Sequence, residues 1–136
     1  MKAVGSLIRL SNFQVEELQK RLADIVDRRT QIELKMAFLQ AECDAELASA
    51  RGDAEAGWYL AGFREGVKQR GLAFQHQLDG LAAEEEGARD ALSEAFEGLK
   101  KYEQVADNMA LAARKEEARR ETAALDELGL RRVSVR

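Results

Sequence analysis

The chain is predicted to be all-α, a long antiparallel two-helix coiled-coil hairpin. Three observations predict it. No proline occurs in 136 residues, and Ala, Leu, Glu, Arg, Lys and Gln dominate a composition that is 34% charged. Two long stretches carry apolar residues at alternating steps of three and four. One cluster of helix breakers separates those stretches. Aromatic and β-branched residues are sparse, which argues against a sheet.

The first helix is expected from about residue 5 to 50. Its seam reads Val4, Ile8, Ser11, Val15, Leu18, Leu22, Ile25, Arg29, Ile32, Met36, Leu39, Cys43, Glu46 and Ala50. Ser11, Arg29 and Glu46 are the only polar members. A 3–4 alternation sustained over about six heptads is a strong coiled-coil signal.

The turn is expected at about 51–57, where Gly52, Asp53 and Gly57 fall within six residues. A short connection favours antiparallel neighbours.

The second helix is expected from about 57 to 128, with a short C-terminal tail over 129–136 after Gly129. Its seam reads Val67, Gly71, Phe74, Leu78, Leu81, Glu85, Ala88, Leu92, Ala95, Leu99, Tyr102, Ala106, Met109 and Ala113. Small residues in this series face larger ones in the first, a large-to-small match. Pairing Leu39 with Gly71, Met36 with Phe74 and Ile8 with Tyr102 leaves helix 2 overhanging the start of helix 1 by ~20 residues, or ~30 Å. The whole chain then reads as a single elongated hairpin.

Charge is unevenly distributed. Residues 31–99 carry 6 basic and 14 acidic side chains, a net of −8, and the remainder has a net of +4. That is an acidic middle with mildly basic chain ends, without the dense basic face of a nucleic-acid binder. The N-terminus lacks the apolar core of a signal peptide. No stretch approaches the ~18 apolar residues of a membrane span.

Catalysis finds no support. The single histidine, His76, lies off the seam and has no second histidine to work with. Cys43 sits on the seam, where a buried inert thiol is the expectation. Glu84-Glu85-Glu86 lacks the alternation and glycine of a calcium loop. Gly62, Gly66 and Gly71 have no strand before them and no Lys-Ser/Thr after, so they form no phosphate loop. They thin one face of helix 2, which fits close approach by another chain, deliberate softness or plain poor packing. No cofactor and no metal are expected.

Two sets of residues stand out instead. Arg29 and Glu85 are charged intruders in apolar seams and fall within about one layer of each other. Such a pair specifies register at some cost in stability. Trp58, Tyr59 and Phe63 cluster beside the turn, where they either cap the seam or bind a partner.

These features gain a context from a resemblance. The opening Leu7-Ile8-Arg9-Leu10 with Val15, Glu16 and Leu18, the Trp58/Tyr59/Phe63 cluster, and Leu99-Lys100-Lys101-Tyr102-Glu103 resemble the FliJ family of flagellar type III export proteins. The most specific part is Glu121 followed by Leu125-Asp126-Glu127 and Arg131-Arg132. The helix-2 glycines and Gly129 depart from the family pattern.

The resemblance implies a non-enzymatic cytoplasmic stalk, similar to the gamma subunit of rotary ATP synthases, peripheral to the inner membrane at the base of the flagellum. It implies three partners: the hexameric export ATPase, the export gate and export chaperones. Leu111, Arg114, Arg119, Arg120, Leu125, Leu128, Arg131 and Arg132 are the expected ATPase-binding residues. Trp58, Phe63, Val67 and Phe74 are the expected gate-binding residues. Two competing readings are the equivalent stalk of a virulence-type injectisome and a self-assembling structural coiled coil.

Overall fold

The computed structural model describes residues 2–53 and 55–135. It contains two helices, α1 (Lys2–Ser49) and α2 (Gly57–Val135), packed against each other as a helical hairpin. Among the described residues, everything outside the connection at 50–56 is helical.

The connection is built from local chemistry. Gly52 takes a φ of +82°, a left-handed conformation that costs a side-chain-bearing residue strain. The Asp53 side chain accepts a hydrogen bond from the Glu55 backbone N–H at 3.1 Å, an Asx-type turn. Ala56 is buried, and its carbonyl accepts the first helical bond of α2 from Leu60 N–H at 3.2 Å.

At the other end, α2 differs from expectation. It does not stop before a tail at Gly129 but continues through it to Val135. One interior glycine costs about 1 kcal/mol relative to alanine. The i, i+4 pair between Arg131 and Glu127, at 3.2 Å, spans that glycine, and Arg132 in the last turn complements the helix dipole. Helix α1 likewise begins at Lys2, earlier than residue 5.

The residues group into two compact units, one of residues 16–93 and one of residues 1–15 with 94–136. The core of the first is Ile25, Leu81 and Ala88, with Leu22 and Ile32 packed against them. The small Ala88 lies in the same cluster as the fully buried Ile25, the large-to-small match expected of these seams. Leu39, Cys43 and Ala56 continue the buried series toward the turn. In the second unit Ser11, Val15 and Leu99 are buried, and Val4, Ile8, Ala95, Tyr102, Ala106 and Met109 are half-buried.

Every described seam position named above is buried or half-buried except Ala113. The loss of burial there marks where intrachain pairing ends. From Ala110 to Ser134 every side chain is exposed, although the helix is unbroken.

Candidate functional site

The residues that the sequence singles out fall in three places: a polar layer inside the seam, the turn end, and the unpaired part of α2.

The polar layer joins Arg29 to Glu85, as their seam positions predict. Arg29 Nη1 donates to Glu85 Oε2 at 2.6 Å, and Arg89 Nη2 donates to Glu85 Oε1 at 3.0 Å. Arg29 also lies 3.8 Å from Glu33. The Glu85 side chain is only 12% exposed against 37% for Arg29, so the carboxylate is the member drawn into the seam. The Arg89 hydrogen bond first, and the charge of Arg29 next, hold its carboxyl below the usual glutamate value against the opposing effect of burial. Beside it, Glu84 meets Arg28 at 3.4 Å. Two of the three consecutive glutamates therefore serve cross-helix pairing.

Between the helices, Gly80 leaves an open trough of about 440 Å³ over Ile32 and Leu81, edged by Arg28, Lys35, Gln77 and Glu84. Arg28 is already engaged by Asp24 at 3.1 Å and by Glu84.

At the turn end, the Tyr59 hydroxyl donates to Glu46 Oε1 at 2.9 Å. That bond, followed by partial burial and the negative charges of Glu46 and Asp53, raises the phenol above its ordinary value. The polar Glu46 of the first seam thus has a polar partner too. Tyr59 supports an edge-on contact with Trp58 at a centroid separation of 6.4 Å. Trp58 itself is 84% exposed, so it caps nothing within the chain. Phe63, Val67 and Phe74 are half-buried, the last two on the seam.

Phe38 at 73% exposed, Leu34 and Leu72 are open apolar side chains that the sequence reading did not single out. Their signal was present: each is a large apolar residue at a position off its seam. Where a Cβ would stand on the helix-2 glycines Gly62, Gly66 and Gly71, no described atom lies within 4 Å apart from the adjoining helix backbone, so close packing against α1 does not account for them.

In the unpaired part of α2, Leu111, Arg114, Arg119, Arg120, Leu125, Leu128, Arg131 and Arg132 are all exposed, and the arginines divide by ion pairing. Arg119 holds Glu116 through two hydrogen bonds at 2.8 and 3.1 Å, Arg120 shares that carboxylate at 3.4 Å, and Arg131 pairs with Glu127. Among the described residues, Arg114 and Arg132 make no ion pair. No helix of the described residues is long and apolar enough to cross a membrane.

The family model described as "Flagellar FliJ protein" matches residues 1–136. The chain belongs to the FliJ family. Curated relatives named "Flagellar FliJ protein" in two strains of Caulobacter vibrioides, NA1000 / CB15N and ATCC 19089 / CIP 103742 / CB 15, are 51% identical over 134 residues. The alignment covers 98% of this chain and 96% of each relative. No solved structure matches the chain. As a FliJ-family protein, the chain is a component of flagellar export. The family is the flagellar one, which separates the chain from the injectisome reading.

Proposed function

We propose that the chain is a non-enzymatic stalk whose unpaired α2 segment binds the hexameric flagellar export ATPase. The Trp58 end contacts the export gate, and export chaperones are further partners. It works in the cytoplasm, held at the inner-membrane base of the flagellum by those partners. The observation that carries this reading is the 110–134 segment, which stays helical with every side chain exposed. Helix stability in proteins comes mostly from packing an apolar face, and an isolated helix in water is marginal. Exposed leucines beside unpaired arginines therefore call for an external protein surface.

Truncation after residue 110 tests this. The shortened chain should keep its paired helices, because burial ends before the cut. It should lose association with the purified ATPase and fail to restore swimming. Unchanged affinity for the hexamer would overturn the assignment. At the turn end, Trp58→Ala should weaken binding to the export gate with circular dichroism unchanged, since Trp58 buries almost nothing within the chain. Full retention of gate binding would remove this end from the contact.

A further inference from the structure

From Asp107 onward, helix α2 carries a second heptad series outside the intrachain seam. It steps by four and three through Asp107, Leu111, Arg114, Ala118, Glu121, Leu125, Leu128 and Arg132. All of these side chains are exposed, including Asp107, which lies where α2 is still paired with α1. Leu111 follows Met109 by two residues, about 200° around the helix, so the series opens on the side away from α1. The helix is unbroken to Val135, which keeps the series on one continuous face. That face holds three of the four leucines between 110 and 134.

The charges on this face answer one another. In chain order they are Asp107, Arg114, Glu121 and Arg132, alternately acidic and basic and summing to zero. None of the four makes an ion pair among the described residues. One chain cannot join Asp107 to Arg132, because they stand 25 residues apart, about 38 Å along the helix. Lys115, Glu117 and Asp126 also make no ion pair among the described residues, and they lie off the face. Elsewhere on the segment Glu116 is matched by Arg119 and Arg120, and Glu127 by Arg131.

We propose that a second copy of the chain covers this face, its α2 running antiparallel with the two-fold axis between Ala118 and Glu121. In that register Leu111 lies across from Leu128 of the copy, and Asp107 across from Arg132 of the copy, each contact occurring twice. Arg114 lies across from Leu125 of the copy and about one helical turn from its Glu121, so both cations of the face gain a carboxylate. The two Glu121 side chains near the axis are flanked by the two Arg114 side chains, and each lies across from the small Ala118. A parallel copy sets all four charges against themselves, and like charges placed together oppose association. Only two layers set leucine against leucine, so the pairing is weak, with a dissociation constant expected at about 10–100 µM. The pairing goes beyond the ATPase reading and does not rest on it. A copy on this face would have to leave before the same leucines met another protein.

Sedimentation of the full-length chain at concentrations on either side of that range tests the pairing, with circular dichroism monitoring helicity. The wild type should pass from monomer to dimer. Leu128→Ala should weaken the dimer about tenfold or more, because both leucine layers lose a member. Leu130→Ala removes the same atoms from a 70% exposed side chain off the face, and should weaken it about twofold or less. Asp107→Arg and Arg132→Asp should each weaken the dimer about fivefold or more. An equimolar mixture of those two variants should dimerise as the wild type does, because in the mixed pair each residue 107 meets the opposite charge at 132. A wild type that stays monomeric overturns the proposal, as do equal losses for Leu128→Ala and Leu130→Ala. Single charge variants that dimerise like the wild type, or a mixture that recovers nothing, overturn the antiparallel register. A monomeric wild type whose Leu128→Ala variant loses the purified export ATPase assigns the stripe to that protein and overturns pairing between copies.

Discussion

The Arg29–Glu85 layer and the 114–132 segment use the same residue types to opposite ends. In the layer, arginine and glutamate meet across two helices, and the carboxylate is 12% exposed. In the segment, every ion pair lies within one helix, between side chains 46–77% exposed. Surface pairs of the second kind stabilise little. A pair drawn into a seam instead penalises every register that separates it. Charge at the layer therefore joins the two helices to each other, while the ion pairs of the segment join α2 only to itself.

That contrast can be broken experimentally, and the largest effect belongs to the paired region. Ile25→Ala should destabilise the chain by about 2–5 kcal/mol, since Ile25 is 1% exposed and leaves a cavity against Leu81 and Ala88. Urea or thermal unfolding reads this directly. A loss no larger than that of a surface substitution would mean the Ile25 cluster is not the core.

Glu85→Leu comes next. It strips Arg29 and Arg89 of their shared carboxylate and should lower the melting temperature. Arg29→Leu with Glu85→Leu should recover that loss or exceed the wild type, because an apolar pair replaces a partly desolvated ionic one. A double-mutant cycle with zero coupling would show that the contact does not specify register.

A smaller, pH-dependent effect follows from the same carboxylate. Glu85 is held below the ordinary value of 4.5, so the folded state favours its ionised form. Its contribution is present above the unfolded-state pKa and is lost as pH falls through the lower folded value. Glu85→Gln should therefore narrow the stability gap between neutral and acidic pH. An identical acid dependence in wild type and variant would exclude Glu85 as a source of it.

Leu128→Ala should do almost nothing to the isolated chain, within about 0.5 kcal/mol, because the side chain is 56% exposed in unpaired helix. A clear loss of stability would reveal an intrachain contact for the segment.

Much of the hairpin was legible in the residues themselves. Side-chain direction in a helix repeats with a fixed period, so the 3–4 alternation from Val4 to Ala50 and from Val67 to Met109 names the faces that become buried. The glycines and Asp53 mark the turn because few other residues tolerate its geometry. Arg29 and Glu85 could be matched because each interrupts an otherwise apolar series at compatible positions. Three things needed the tertiary structure. Gly129 looked like a stop, yet one residue's propensity is outweighed by helix continuing on both sides. Trp58 could have capped the seam or pointed outward, a choice that depends on where Ala56 and Tyr59 already fill the turn end. The start of the unpaired part of α2 depends on where burial stops. A heptad series shows which residues share a side of a helix, but only the packed partner, or its absence after Met109, shows which side is left open.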